Sequence, residues 1–275
     1  MKLFVIGKPI KHSLSPLIHN CWIKKYNIDV KYEKKEIDLL HLEKIISEIR
    51  HEKIKGINVT LPYKKIITRF IDEMSQTAKD SEAVNTVFFK ENKIYGDNTD
   101  GKGFIESIEK EMKFDFEKKK IFIIGAGGAA YGILSQLNKK KVGPVFVANR
   151  TKEKLNNLVN HFKSKKSDIF QSNWSALKPP DDTDIIINTT SFGMKKGELI
   201  EINYKGLTNS TIFADIIYKP KETEFLKFAR LQGFKTINGL DMLIRQAAIS
   251  FNLWFGISLT EQDIKNAKDI CDKAC

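Results

Sequence analysis

The stretch Ile121-Phe122-Ile123-Ile124-Gly125-Ala126-Gly127-Gly128-Ala129-Ala130 constrains the fold more than any other. Four apolar residues read as a buried strand, and a glycine turn then opens a helix that ends near Lys141. Val145-Phe146-Val147-Ala148 supplies the next strand. Strand, G-x-G-x-x-A, helix and strand within about 30 residues is the dinucleotide-binding arrangement. Gly125 permits the tight turn, Gly127 lets the backbone approach a pyrophosphate, and Ala130 allows close helix–sheet packing. Ala126, Gly128 and Ala129 complete the loop. A glycine-rich loop without a ligand is the plainer alternative, and the flanking strand and helix weigh against it.

The end of the second strand discriminates between nicotinamide cofactors. An NAD site places Asp or Glu there to hold the ribose 2′-hydroxyl. Here the chain reads Asn149-Arg150-Thr151-Lys152-Glu153-Lys154. A guanidinium, a hydroxyl and ammonium groups suit a 2′-phosphate, so the expected cofactor is NADP (NADPH).

Around this unit the chain alternates strands and helices. Leu3–Gly7, Tyr32–Ile37, Gly56–Thr60, Ala83–Phe89 and Lys93–Gly96 read as strands, the last two as a hairpin turning at Glu91-Asn92. Helices are expected over Pro16–Tyr26, Leu39–Ile49 and Ser75–Glu82. Beyond the glycine turn, Asp184–Asn188, Thr211–Ala214 and Lys235–Asn238 read as strands, and Thr151–Phe162 and Glu222–Gln232 as helices. The lysine-rich segment 113–120 marks a boundary, and the tail 241–275 reads as helix with no strand of its own. The expectation is an α/β protein of two domains. An N-terminal α/β substrate-binding domain comprises 1–101 plus the returning helices 240–275, and a Rossmann-type NADP-binding domain comprises 102–239.

Three polar sites outside the glycine turn carry chemistry. In Gly56-Ile57-Asn58-Val59-Thr60-Leu61-Pro62-Tyr63-Lys64, a strand stops at Pro62. Apolar residues at Ile66, Ile67, Phe70, Ile71 and Met74 then predict a helix with Lys64 in its first turn. Cations are disfavoured at helix N-termini, so Lys64 is either a solvated surface charge or held for a purpose. Ser15-Pro16 reads as a cap and first-turn pair, which leaves Ser13 unexplained. Two hydroxyls at a helix N-terminus also suit a carboxylate. Asp100 in Asp97-Asn98-Thr99-Asp100-Gly101 is either an N-cap or a partner for Lys64.

A formal net charge of +12 raises nucleic-acid binding as a function. The lysines are scattered, and no aromatic interleaving or nucleic-acid motif accompanies them, so no nucleic-acid partner is expected. No apolar run approaches the ~18 residues of a membrane span, and the N-terminus lacks a signal-peptide pattern, so the protein is expected in the cytoplasm without a membrane partner. Cys21, Cys271 and Cys275 show no metal spacing and read as reduced thiols. No metal is expected.

Taken in order, these blocks resemble the shikimate dehydrogenase family along nearly the whole chain. Ser13-Leu14-Ser15-Pro16 is similar to its substrate-carboxylate motif, and Asn58-Val59-Thr60-x-Pro62-x-Lys64 to its lysine motif. Ala83-Val84-Asn85-Thr86, Asp97–Gly101, the glycine turn, Asn149-Arg150-Thr151, Asn188–Met194, Asp215–Tyr218 and Gly239–Gln246 match further blocks. Glu82 stands where the family usually has glycine. The resemblance implies substrate in a cleft between two domains, with Lys64 and Asp100 as the catalytic pair. It implies substrate contacts from Ser13, Ser15, Asn58, Thr60, Asn85, Tyr218 and Gln246. Cofactor contacts would come from Gly125–Ala129, Asn149, Arg150, Thr151, Lys154, Thr189, Ile216 and Gly239. The activity implied is reversible NADPH-linked reduction of 3-dehydroshikimate to shikimate, in chorismate and aromatic amino-acid biosynthesis. A quinate/shikimate enzyme using NAD(P) and a non-catalytic sensor on the same fold are the alternatives, and a homodimer is compatible with the sequence.

Overall fold

A computed structural model of the chain describes residues 1–165, 168–195 and 197–274. Cys275, and with it the reading of that thiol, lies outside the described residues. Internal contacts divide the chain into two units, residues 1–103 with 243–274, and residues 104–242.

The first unit opens with β1 (Lys2–Gly7), whose residues after Lys2 are all buried. Helix α1 (Ser15–Lys25) starts at a proline-bearing first turn and buries Ile18, His19, Trp22 and Ile23. β2 (Lys31–Glu36) is charged at every position but Tyr32, as suits a sheet edge. A short 3-10 turn, Leu39–His41, leads into α2 (Leu42–Arg50), which buries Leu42, Ile45, Ile46 and Ile49 at helical spacing. β3 (Ile54–Val59) follows.

The segment after β3 departs from expectation. No α-helix runs from Lys64 to Met74. Residues 61–65 form turns, Ile66–Phe70 is a 3-10 helix, and Glu73–Met74 forms a short strand, β4. The apolar spacing is real, since Ile67 is buried in the core and Ile66, Phe70, Ile71 and Met74 pack against it. Two competing bonds divert the backbone. The Thr68 hydroxyl takes the Lys65 carbonyl at 2.7 Å, and the Asp72 N–H donates to the Ile94 carbonyl at 3.0 Å. An edge strand with open ladder groups thus captures the segment.

α3 (Gln76–Ser81) is capped by Ser75, whose hydroxyl accepts from the Ala78 N–H. β5 (Thr86–Lys90) and β6 (Lys93–Asp97) form a hairpin whose turn residues Glu91 and Asn92 have φ of 50° and 62°. α4 (Asp100–Glu111) comes next.

The second unit is built on β7 (Ile121–Ile124), α5 (Gly128–Leu137), β8 (Val145–Ala148) and α6 (Lys152–Lys163). β9 (Ile169–Ser172) was not expected; only its first residue is buried, so it carries little apolar pattern. β10 (Ile185–Asn188), β11 (Ile212–Asp215), α7 (Glu224–Leu231) and β12 (Lys235–Ile237) complete it. Its sheet runs β12-β11-β10-β7-β8-β9 with every pair parallel. Counted within the unit this is the 3-2-1-4-5-6 order of doubly wound nucleotide-binding folds. β7 and β10 are buried throughout, as strands covered on both faces must be.

Two helices end the chain, α8 (Leu240–Phe255) and α9 (Glu261–Ala274). In the first unit α9 lies on α1, and the buried Asp263 carboxylate accepts from the Lys25 ammonium and the Tyr26 hydroxyl. Trp254 on α8 donates its indole N–H to the Val87 carbonyl at 3.2 Å. The sheet there is mixed, in the order β2-β1-β3-β5-β6-β4. β1 pairs with β2 and β3 in parallel, and the β5–β6 hairpin joins β3 antiparallel.

Candidate active site

Lys64 is placed by its neighbours rather than by a helix. Its carbonyl accepts the Val84 N–H at 2.8 Å, and Tyr63 beside it is buried with its hydroxyl on the Ile37 carbonyl. The Lys64 Nζ donates to Asp100 Oδ2 at 2.6 Å. Asp100 is the first residue of α4, so its carboxylate is not a cap. The Asn98 side chain accepts the Asp100 N–H instead, at 3.1 Å. The second carboxylate oxygen, Oδ1, accepts from Asn85 Nδ2 at 2.7 Å. Both side chains of the ion pair keep some exposure, 26% and 14%, so the pair borders solvent space rather than the core.

Amides and hydroxyls back this pair. Asn85 Oδ1 accepts the Thr99 N–H at 2.9 Å, and Asn85 Nδ2 also reaches Thr99 Oγ1 at 2.9 Å and Gln246 Oε1 at 3.4 Å. Gln246 is held by its own Nε2 on the Leu243 carbonyl at 2.7 Å. Asn58 on β3 donates to the Asn85 carbonyl at 3.1 Å. Thr60 lies just beyond, with its N–H on the Ile6 carbonyl at 2.9 Å and its methyl against Gly7, where a Cβ would collide with it. Ser15 does not cap α1. It is already helical, and its N–H donates to Ser13 Oγ at 3.3 Å while the two hydroxyls meet at 3.2 Å. Thus Lys64, Asp100, Asn85 and Gln246 form one contact set with Asn58, and Ser13 and Ser15 form a hydroxyl pair in the same unit.

In the second unit Gly125 has φ +113°, and a Cβ there would lie 2.5 Å from Thr189 Oγ1. Glycine is therefore required by conformation and by space. Thr189 is buried, and its hydroxyl donates to the Ile124 carbonyl at 2.8 Å. Gly127 is the cap residue of α5 and brings no side chain to the N–H groups of its first turn. Around Gly127 and Gly128 the space a Cβ would enter is open to 4 Å. Asn149 Oδ1 accepts the Ala126 N–H at 3.1 Å, and its Nδ2 donates to the Thr151 carbonyl at 2.8 Å, tying the glycine loop to the start of α6. That helix also lacks a side-chain cap, and Arg150, Thr151, Lys152 and Lys154 around it are exposed. Glu153 is the one carboxylate in this first turn, and the surplus of cations at an uncapped helix N-terminus favours a further anion there.

Ile216, Tyr218 and Gly239 also belong to this unit. The Ile216 N–H donates to the Asn188 carbonyl at 3.1 Å, and Gly239 approaches the Ile216 carbonyl so closely that a Cβ would clash. Asp215 anchors this corner by accepting from Asn188, the Ile217 N–H and Thr223. Burial pushes its carboxyl up to about 6.

No motif pointed to Tyr32, His19 or Ser250, and Thr86 and Thr99 lay within quoted blocks without a role; all five are buried among the polar groups of the first unit. The signal open to a sequence reading was faint: a lone His and Tyr at inward positions of an amphipathic helix and a strand. His19 stacks on Tyr32 at 4.3 Å, and neither of its ring nitrogens has a hydrogen-bond partner. Burial holds its pKa down to about 3, against a smaller opposing pull from Asn58.

A parallel sheet in the 3-2-1-4-5-6 order with a glycine turn at its first strand, together with a separate mixed α/β unit, defines a two-unit α/β protein with a Rossmann-type nucleotide fold. Family models narrow that class. Residues 5–87 match the shikimate dehydrogenase substrate-binding domain, 106–224 match shikimate/quinate 5-dehydrogenase, and 239–267 match the shikimate 5′-dehydrogenase C-terminal domain. The NADP⁺ shikimate dehydrogenase of Pelagibacter ubique is 45% identical over 253 residues, covering 92% of each chain. The crystal structure of shikimate dehydrogenase from Aquifex aeolicus superposes with a TM-score of 0.86 at 35% identity, over 97% of each chain. That of the Thermus thermophilus enzyme, in complex with NADP(H) and shikimate, superposes at 0.86 with 28% identity over 98% of each. The chain belongs to the shikimate dehydrogenase family. Among the described residues, no helix is long and apolar enough to cross a membrane.

Proposed function

We infer that this chain is an NADP-dependent shikimate dehydrogenase, catalysing the reversible reduction of 3-dehydroshikimate to shikimate with NADPH in the shikimate pathway. The observation that carries the reading is the Lys64–Asp100 pair at 2.6 Å, bordered by amides and hydroxyls, in a chain of this family. The substrate is a polyhydroxylated ring with a carboxylate, which hydrogen-bonding side chains suit better than an apolar pocket.

The cofactor, when bound, supplies the hydride. Everything else falls to this chain. Negative charge develops on the carbonyl oxygen as it is reduced, and the Lys64 ammonium stabilises it and donates the proton. Asp100 balances the lysine's charge and is itself held by Asn85. Ser13 and Ser15 receive the substrate carboxylate, while Asn58, Thr60, Asn85, Gln246 and Tyr218 take its hydroxyls. The open space at Gly127 and Gly128 and the uncapped start of α5 suit a pyrophosphate, with Gly125, Ala126, Ala129 and Thr189 shaping the loop. Arg150, Thr151, Lys154 and Asn149 suit the 2′-phosphate. Ile216 and Gly239 would border the nicotinamide. Residues 1–101 with 240–275 form the substrate-binding domain and 102–239 the cofactor domain. The reading further places the protein in the cytoplasm, without nucleic acid as a partner, and allows a homodimer.

Reduction of NADP⁺ by the purified protein, followed by near-ultraviolet absorbance with shikimate or with quinate, tests this. Shikimate turnover faster with NADP⁺ than with NAD⁺ is expected. Quinate as the preferred substrate would move the chain to the quinate branch, and activity with neither would overturn the enzyme reading.

A further inference from the structure

The network behind the Lys64–Asp100 pair does not end at Asn58. Tyr32, fully buried on β2, donates its hydroxyl to Asn58 Oδ1 at 2.7 Å. Asn58 Nδ2 shares its two hydrogens among the Asn85 carbonyl, Thr86 Oγ1 and Ser250 Oγ, each at 3.1 Å. Thr86 Oγ1 meets Ser250 Oγ at 2.7 Å and Asn85 Oδ1 at 2.9 Å. Asn85 then reaches Asp100. Burial pushes the Tyr32 phenol up, with Ser15 a smaller opposing influence. A continuous chain of polar contacts therefore runs from Tyr32 through Asn58, Thr86 and Asn85 to Asp100.

A buried asparagine amide has two nearly isosteric ends with opposite hydrogen-bonding character. Its orientation is set only by which neighbours donate and which accept. All three partners at Nδ2 can accept, but two of them are hydroxyls that could equally donate. The Asn85 carbonyl, which can only accept, sets which end of the amide faces it, and the Tyr32 hydroxyl holds the opposite end by donating to Oδ1.

We propose that Tyr32 is a positioning residue for the substrate site, its hydroxyl holding the Asn58 amide at the end opposite the Asn85 carbonyl and thereby fixing the polar groups that Asn58 and Asn85 present to the substrate hydroxyls. This rests on the reading of the site as one for shikimate. The substrate ring touches Asn58 and Asn85, not Tyr32. Loss of the Tyr32 hydroxyl leaves the cofactor groups and the Lys64–Asp100 contact in place, so binding of the hydroxylated ring suffers before turnover does.

Steady-state kinetics of Tyr32→Phe, which keeps the ring stacked on His19, provide the test. The KM for shikimate should rise ~10-fold, with kcat within about 3-fold and the KM for NADP⁺ unchanged. Asn58→Ala should raise the same KM, and the double variant should be no worse than Asn58→Ala alone, because Tyr32 acts through Asn58. Ser250→Ala, which cuts the network on its far side, should raise the shikimate KM ~3-fold and serves if Tyr32→Phe folds poorly. A merely structural role would lower the unfolding midpoint and leave the shikimate KM where it was. That result, or additive effects of Tyr32→Phe and Asn58→Ala, overturns the proposal. Failure of the wild-type protein to turn over shikimate would instead overturn the functional reading, and is seen before any variant is made.

Discussion

At the scale of single residues, the Lys64 ammonium is the group whose removal discriminates chemistry from binding. It bonds Asp100 at 2.6 Å. Lys64→Ala should lower kcat by on the order of a hundredfold or more, the usual worth of a general acid, with a small change in the shikimate KM. An unchanged kcat would remove Lys64 from the mechanism. His19 makes a different prediction. Its pKa is about 3 in the folded protein and near 6.5 when unfolded, so protons bind preferentially to the unfolded chain between those values. The stability it permits is fully present above pH 6.5 and is lost as pH falls towards 3. The limiting slope from one such group is about 1.4 kcal/mol per pH unit. His19→Phe removes that proton uptake while keeping an aromatic ring against Tyr32 and Trp22. Urea unfolding of the variant should therefore show a flatter loss of stability between pH 6.5 and pH 4. An unaltered slope would mean that His19 does not stay neutral in the fold.

At the scale of elements, how legible a segment was depended on how local its determinants are. The glycine turn and the flanking strands of the second unit follow from sterics and apolar runs within a few residues, and they fold as read. The segment after β3 does not, because its path depends on an edge strand, β6, that offers open ladder groups. Periodicity at Ile66, Ile67, Phe70 and Ile71 correctly marked which side chains turn inward and misjudged the backbone that carries them. β9 escaped notice since Ile169 is its sole buried residue. The network of Tyr32, Thr86, Thr99 and Ser250 was illegible for a further reason: hydroxyls from β2, β5, the residue before α4 and α8 come together only after the chain has folded. Glu82 shows the same dependence at an element's end. It terminates α3 in the left-handed region, with φ 50° and ψ 31°, where a side chain costs roughly 1–2 kcal/mol. Against that strain stands an exposed ion pair with Lys65 at 3.3 Å, worth at most about 1 kcal/mol. Glycine also adds entropy to the unfolded chain, about 0.5–1 kcal/mol. Glu82→Gly should therefore gain a little stability, about 0.5 kcal/mol, visible as a Tm roughly 1–2 °C higher with kinetics unchanged. A lower Tm would show that the ion pair outweighs the backbone strain.

At the scale of the whole molecule, the first unit is discontinuous in sequence and the second is not. Residues 243–274 supply the first unit with groups that nothing else replaces. Phe251 and Trp254 pack around His19, Trp22 and Tyr32. The Trp22 indole donates to the Asp263 carbonyl at 3.1 Å, and Ser250 and Gln246 close the polar network at Asn58 and Asn85. Without them, His19, Trp22 and Tyr32 would face water, at roughly 1.5–3 kcal/mol each, a loss comparable with the whole margin of an ordinary domain. The second unit, residues 104–242, keeps its whole parallel sheet, the glycine turn and Asn149–Lys154 within one continuous stretch. A chain stopping after Met242 should therefore lose shikimate turnover and the tertiary signal of its first unit, yet bind NADP⁺ within about 3-fold of the full chain, because only groups of the second unit are proposed to hold that cofactor. Fluorescence titration with NADP⁺ alongside near-ultraviolet circular dichroism separates the outcomes. Retained cofactor binding with a collapsed first unit means that the two units carry their stability separately. Loss of both would mean that the tail supports the nucleotide unit as well, and the division of labour between the units would have to be redrawn.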